Sequence, residues 1–429
     1  MKLHIENFAR ISSADIEFDG LTVIAGKNNM GKSTVGKVLY TFFRALSQMP
    51  RRVRRDRIDA VRRAVERNVD RSITAEQAQQ LLEGSVSVDD VYRQLKESDK
   101  ADALQSLFAP LPEGGLSEFS RSDIDKTIAD VKAMDDRTIA GKLAYQVLDC
   151  VFHRQTKPLR EVDGDAVLQL RVHGELNEMR FGKGGSQIRH VTSLVKKVRF
   201  IANPDALSLL NVRDLSTNKA YVRAFEKYTL ELAQELVAES KLSAVEEESA
   251  RSRLSEILIL LDREIGGSLI QDDENDFALL EDGAIRPTKA ENLSMGMKFF
   301  VLLRFMLLHG VLQERDVLIL DEPENHLHPT WQIVYAKVLV LLQKKFNLTI
   351  LLTSHSTFFV NAVRRFSIVE LDEGASHFYR AKADSTHPGF VTFEDVSTKT
   401  GPIFKEFSEA YGLVDALSGA GNQEGGSLG

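Results

Sequence analysis

Two acids stand side by side at Asp321 and Glu322, directly after the apolar run Val317 to Leu320. A short run of that kind reads as a strand buried in a parallel sheet. A carboxylate at the end of a buried strand costs free energy unless a cation or hydrogen-bond donors compensate it. A magnesium ion and an attacking water are compensation of that kind, and they imply a phosphate-bearing substrate. Far upstream, Gly26-Lys27-Asn28-Asn29-Met30-Gly31-Lys32-Ser33-Thr34 matches GxxxxGK[ST] in full. In such a loop Gly26 and Gly31 let backbone N–H groups wrap phosphate oxygens. Lys32 reaches the β- and γ-phosphates, Ser33 holds magnesium, and the following helix N-terminus adds positive potential.

Four other groups stand out by position. Leu293-Ser294-Met295-Gly296 precedes an apolar helix expected over Phe299 to Leu312, where free N–H groups favour an anion. Leu-Ser-x-Gly is weak alone, because serine caps helices commonly; between a phosphate loop and an acidic strand it becomes specific. His355 follows the next apolar strand, Asn347 to Thr353, which sets it beside the acids. His326 and His328 alternate around Leu327 and precede Pro329, so a structured loop suits them better than metal ligation. Asp163-Gly164-Asp165 reads as a plain turn.

These groups need elements to hold them. Leu3 to Phe8 alternates like a half-exposed strand, Ala14 to Phe18 is its expected hairpin partner, and Leu21 to Ile24 is a buried strand entering the phosphate loop. Val35, Val38, Leu39, Phe42, Phe43 and Leu46 line one face of the helix that follows. Further strands are expected at Ala166 to Val172, Glu178 to Phe181, His190 to Ile201, 367–371 and 376–381. Helices are expected over Lys219 to Glu239, Ala244 to Ile265, Pro329 to about Lys345, 356–365 and Phe404 to Leu417. The resulting division has a head part with the phosphate loop at 1–49, a helical insertion at 50–156 split at Pro110 to Gly115, and antiparallel strands at 157–203. A helical arm or lobe follows at 204–265, a second head part at 266–417, and a small-residue tail at 418–429.

Composition bounds the classes. A chain of 429 residues with 43% apolar and 27% charged content is ordinary for a globular protein. A net charge of −7 argues against general affinity for nucleic acid or membrane. The exception is local: Arg51 to Arg71 carries nine arginines against four acids, with Ile58, Val61, Val65 and Val69 on one helix face. That basic face suits a nucleic-acid backbone or an acidic partner, or is simply solvated. A single cysteine, Cys150, excludes an internal disulfide and fits a reducing cytoplasm. The most apolar window, Phe299 to Leu308, contains Arg304 and falls short of the ~20 residues a membrane span needs.

A phosphate loop, Leu-Ser-x-Gly, Asp-Glu-Pro and a histidine after the next strand, in this order, resemble the ATP-binding-cassette ATPases. Asn28-x-x-Gly31, the Leu3–Phe8 strand and Glu322-Pro323-Glu324-Asn325-His326-Leu327-His328-Pro329 look like the RecF/SMC-related branch. Within it they are most similar to the ATPase domain of overcoming-lysogenization-defect (OLD) proteins, with relatives in the Septu and PARIS antiviral systems. The resemblance covers residues 1–46 and 285–360 closely.

The resemblance implies an α/β head with a mixed sheet, an N-terminal antiparallel layer and helical insertions, binding ATP and Mg2+. It makes Gly26 to Thr34, Asn28 and Asn29 included, the Walker A loop, Asp321 the Walker B magnesium acid, and Glu322 the group that activates water. Ser294 and Gly296 become the signature that completes an opposite subunit's site, so two copies meet head to tail. Asn325 to His328 match the D-loop at that interface, and His355 the switch histidine that senses the γ-phosphate. Gln146 and Gln155 are candidates for the Q-loop. OLD nucleases carry a TOPRIM nuclease domain after the ATPase, whereas no strand set with a glutamate and a paired Asp-x-Asp follows His355 here. The expectation is therefore a cytoplasmic ATPase that controls a separate effector, for instance a nuclease, in antiviral defence. The rivals are an ATPase acting directly on DNA in repair or chromosome maintenance, and an ATP-stabilised scaffold with negligible turnover.

Overall fold

The computed structural model describes residues 1–69, 73–97, 118–156, 164–182, 185–189, 194, 196–212, 225–237, 244–272 and 276–405. By its internal contacts the chain divides into two units: 1–44 with 147–186 and 196–429, and 45–146 with 187–195.

In the first unit, β1 (Lys2–Phe8) and β2 (Ile11–Glu17) pair antiparallel, and β3 (Leu21–Ala25) is buried throughout before it runs into the phosphate loop. β4 (Ala166–Val172) and β5 (Glu175–Gly182) extend the antiparallel part from β1, and β6 (Gly185–Arg189), of which 185 and 186 belong to this unit, is the strand next to β5. β7 (Val198–Ile201), β11 (Val317–Asp321) and β12 (Thr349–Ser354) are parallel to β3. β13 (Ser376–Ala383) and β14 (Val391–Asp395) join the two regions, β13 parallel to β3 and β14 parallel to β2. One sheet results, in the order β6-β5-β4-β1-β2-β14-β13-β3-β12-β11-β7. The expected antiparallel layer and the parallel core are thus continuous. A second, three-stranded sheet holds β8 (Gly267–Gln271), β9 (Phe277–Glu281) and β10 (Thr288–Lys289).

The parallel strands are buried because helices cover them. Lys32–Leu46 follows β3, Met295–Leu308 precedes β11, Pro329–Phe346 connects β11 to β12, and Thr357–Glu370 follows β12. Val317, Leu318, Ile319 and Leu320 are all 0% exposed. Burying each such side chain stabilises by roughly 1.5–3 kcal/mol, which offsets the charged groups carried at the strand's end. Register brings the strand ends together: Ser354 pairs with Ala25, Thr353 with Asp321, and Ile201 with Leu320. Ligands of open parallel sheets bind at such carboxyl ends.

Several expectations change. Residues 367–370 end the helix Thr357–Glu370 and are not a strand. Ile368 and Val369 read as β-branched strand residues, yet they are 66% and 77% exposed, with no sheet face to fill. Ser367 Oγ instead donates back to Val363 O, and Leu371 N–H closes the last turn on Ser367 O. The apolar helix starts at Met295 rather than Phe299, because Ser294 caps it, and it ends at Leu308 before the left-handed Gly310. Of His190 to Ile201, 190–193 and 195 lie outside the described residues; among the described ones Val198–Ile201 is strand, and Leu194 is in an isolated bridge to Ser47. Within the expected helix Lys219 to Glu239, Lys227–Val237 is helical and 219–224 lie outside the described residues. So do Pro110 to Gly115, Asp163 and 406–417, while 401–405 are helical.

The second unit has its own small core, in which Val61, Val65 and Val69 of the helix Met49–Val69 cluster with Leu81, Val91 and Ile124. Thr74 and Gln77 form a capping box on Ala75–Glu83, which Gly84 ends in the left-handed region. Much of the arginine-rich face is spent internally. Arg57 donates to Val131 O, Met134 O and Asp136, Arg52 donates to Ala45 O, and Arg55 and Arg62 pair with Asp59 and Glu66. No described helix is long and apolar enough to cross a membrane.

The central position of β11 gives a stability test. Ile319→Ala should lower unfolding free energy by about 2–5 kcal/mol in urea denaturation. A loss below ~1 kcal/mol would contradict the placement of this strand between β7 and β12.

Candidate nucleotide site

The phosphate loop leaves β3 at Ala25 and enters the helix at Lys32, so the loop's N–H groups and the helix N-terminus face the same space. Gly31 has φ +71°, where a side chain is strained, and a Cβ there would meet Val391 at 3.2 Å and Ile11 at 3.3 Å. Lys32 is 3% exposed, and its Nζ donates to Gly26 O and Lys27 O, each at 2.9 Å. Nζ also lies 3.3 Å from Glu322 Oε1. Asn28, Asn29 and Thr34 line a cavity of about 570 Å³ with Lys32, Ser33, Asp321 and Glu322.

Each carboxylate at the end of β11 has a different environment. Asp321 Oδ1 accepts from Ser33 Oγ at 2.9 Å and from Thr353 Oγ1. Burial raises the Asp321 carboxyl above its ordinary value, and the bonds from Thr353 and Ser33 offset only part of that. Glu322 takes φ +51°, a left-handed conformation that ends the strand and costs a non-glycine residue on the order of 1–3 kcal/mol. Its N–H is held by Thr353, through the backbone carbonyl and through Oγ1, each at 3.1 Å. Its Oε2 accepts from Asn325 Nδ2 at 3.1 Å and lies 3.3 Å from His355 Nδ1. Burial alone would raise the Glu322 carboxyl, but Asn325 and the charges of Lys32 and His355 outweigh it and leave it below the usual range.

The donor set suits magnesium. Mg2+ takes hard oxygen ligands and usually binds through one or two carboxylates, phosphates and water. Ser33 Oγ and Asp321 Oδ1 converge at 2.9 Å, and the under-compensated carboxylate of Asp321 is the group a cation would stabilise.

The signature residues line no part of this cavity. Ser294 is exposed and caps the helix Met295–Leu308, its Oγ accepting from Met297 N–H at 3.3 Å. Gly296 is buried: a Cβ would come within 2.9 Å of His326 O and 3.0 Å of the Trp331 ring. That glycine serves close packing inside the chain. In the loop after the acids, Asn325 turns inward to Glu322, and His326 is exposed at φ +71°. His328 caps the helix Pro329–Phe346, its Nδ1 accepting from Thr330 N–H at 3.3 Å.

Some lining residues carried no signal in the sequence. Arg10, in the β1–β2 turn, donates to Asn29 O at 3.2 Å, and Lys37 sits one helical turn beyond Ser33. Phe152, His153 and Gln155 form a further part of the wall, Phe152 packing edge-on against Phe8 with ring centres 4.9 Å apart. Gln155 therefore lines the cavity, whereas Gln146 is an exposed position of the helix Asp136–Val151. Ala202, at the end of β7, lies beside Asp321. Hairpin turns and helix ends of this kind have no motif; only the fold brings them here.

Residues 1–158 match the family model for the AAA ATPase domain. Residues 193–361 match the model described as AAA domain, putative AbiEii toxin, Type IV TA system. The two motif-bearing segments thus match AAA-type ATPase domains. No curated protein matches the chain. Among solved structures, the SMC head domain from Thermotoga maritima is similar at 11% identity and TM-score 0.40, over 92% of this chain and 98% of that one. An SMC head bound to the C-winged helix domain of ScpA is similar at 11% identity and TM-score 0.43, over 93% and 98% of the respective chains. An SMC head with an extended coiled coil, bound to a ScpA C-terminal domain and derived from Pyrococcus furiosus, gives 11% and 0.39 over 97% and 98%.

Lys32 is the side chain whose loss should be felt first in binding. Lys32→Ala should weaken ATP affinity by at least about tenfold in titration calorimetry. Equal affinity in the variant would contradict the placement of phosphates in this loop.

Proposed function

We propose that this chain is an ATP-hydrolysing switch of the ATP-binding-cassette type whose site is completed by a second copy arranged head to tail. The observation that supports this most is the convergence of Lys32, Ser33, Asp321, Glu322 and His355 at the ends of three adjacent parallel strands.

Phosphoryl transfer asks a protein mainly for positioning and charge stabilisation. The loop Gly26 to Thr34 offers backbone N–H groups, and Lys32 exchanges its bonds to Gly26 O and Lys27 O for phosphate oxygens. Ser33 and Asp321 would hold Mg2+, which neutralises charge on the β- and γ-phosphates. Glu322, kept ionised below its usual range, accepts a proton from the water it orients, while Asn325 fixes its other oxygen. His355 borders the same carboxylate and senses the γ-phosphate. Ser294, exposed at a helix N-terminus outside the cavity, presents its N–H groups to ATP held by the partner copy. Hydrolysis removes the shared γ-phosphate and loosens the pair.

The downstream role we assign is control of a separate effector, for instance a nuclease, in antiviral defence. Two things support it: the OLD-like run Glu322 to Pro329, and the toxin named in the description of the family matched at 193–361.

Glu322→Gln tests the switch. It should retain ATP binding, cut steady-state turnover by about 10²–10⁴-fold and trap an ATP-dependent species of doubled mass. In a phage challenge the same change should remove protection. Turnover equal to the unaltered chain would remove Glu322 from the role of base; an ATP-independent mass would contradict the shared site; retained protection would contradict the defence role.

A further inference from the structure

Glu324 is the most deeply buried acid of the loop after β11, 3% exposed. Its Oε1 accepts three hydrogen bonds: from Ser354 Oγ at 2.6 Å, from His355 N–H at 3.1 Å and from Ser356 N–H at 3.3 Å. Those donors are the last residue of β12 and the two residues that join it to the helix Thr357–Glu370. One carboxylate oxygen therefore ties the acidic loop to the segment that carries His355. The imidazole stands between two acids, with Nδ1 3.3 Å from Glu322 Oε2 and 3.7 Å from Glu324 Oε1. Among the described residues that Nδ1 has no partner in hydrogen-bond geometry, and neither does Glu324 Oε2.

Burial raises the Glu324 carboxyl above its ordinary value, with the Ser354 and His355 bonds opposing. An apolar side chain would leave the Ser354 hydroxyl and the His355 and Ser356 N–H groups without this acceptor, whereas an amide oxygen could still accept from them. What an acid adds is a set of strong bonds to N–H groups, which fix the backbone under His355 in one place.

We propose that Glu324 is a positioning residue: by holding Ser354 to Ser356 it places the His355 imidazole against Glu322, so that base and switch histidine act as one unit. This rests on the reading of Glu322 as the group that activates water. In a chain so coupled, a shift of the acidic loop carries His355 with it, and a γ-phosphate that displaces His355 pulls on Glu322 through the same turn.

The test uses the full chain as Glu324→Ala, Glu324→Gln, His355→Ala and the Glu324→Ala/His355→Ala pair, each confirmed folded by circular dichroism. Glu324→Ala should lower kcat about 10–100-fold with KM for ATP within about threefold. Glu324→Gln keeps the Oε1 acceptor and should recover most of the rate, which also leaves the proposal testable if the alanine variant does not fold. The double variant should be no slower than the slower single one. Without nucleotide, hydrogen exchange at the amides of His355 and Ser356 should speed up in Glu324→Ala. Losses that multiply in the double variant, or exchange that does not change, would overturn the proposal and leave Glu324 a loop staple. If neither the unaltered chain nor any variant hydrolyses ATP, the ATPase reading fails instead, and the exchange measurement alone decides whether Glu324 holds the turn.

Discussion

Taking a carboxylate out of water costs several kcal/mol unless donors or cations replace the lost hydration. Three carboxylates leave the core within four residues at the end of β11, and the surrounding geometry follows from how each is compensated. Asp321 has two hydroxyls, from Ser33 and Thr353. Glu322 has an amide from Asn325, the ammonium of Lys32 and the ring of His355. Glu324 has a hydroxyl and two backbone N–H groups from the turn after β12. Only Glu322 ends below its ordinary titration range; burial keeps Asp321 and Glu324 above theirs. The acid proposed to take a proton is thus the one held below its ordinary range, and the acid beside Ser33 is the one a cation would stabilise.

The sheet makes this affordable. Four fully buried side chains precede the acids in β11, and β12 on one side of it, itself paired with β3, brings Thr353 and the phosphate loop to the same end of the sheet. The left-handed turn at Glu322 re-aims a side chain that would otherwise continue the alternation of the strand, and Thr353 holds that turn through two bonds. Strain at this position is consistent with a functional site whose geometry is fixed by its surroundings.

How much of this was legible in the sequence depends on the range of the interaction. The phosphate loop and the acidic strand are local patterns with a physical reason at each position, and the structure brings Gly26 to Thr34 together with Asp321 and Glu322. His355 also falls beside them, since one parallel strand separates it from the acids. Arg10 sits in the local β1–β2 hairpin and His153 just past a helix end, and they reach the cavity only because the sheet and that helix end meet beside the phosphate loop, for which no short motif exists. Gly296 read as a phosphate-facing residue, but in the chain it makes room for His326 O and Trp331. Asn325 read as an interface residue, and its amide turns to Glu322. At 367–370, β-branched residues mimic a strand, and the exposed end of a helix accepts them because nothing packs on that face.

On the function proposed here, the buried end of β11 holds a metal–nucleotide pair, with Asp321 as the acid that a cation would stabilise. The most direct measurement is ATP affinity by calorimetry with Mg2+ and with the metal chelated, for the unaltered chain and for Asp321→Asn. Binding should be tighter with Mg2+ in the unaltered chain, and that difference should vanish in the variant. A variant that keeps the full Mg2+ dependence would contradict the account.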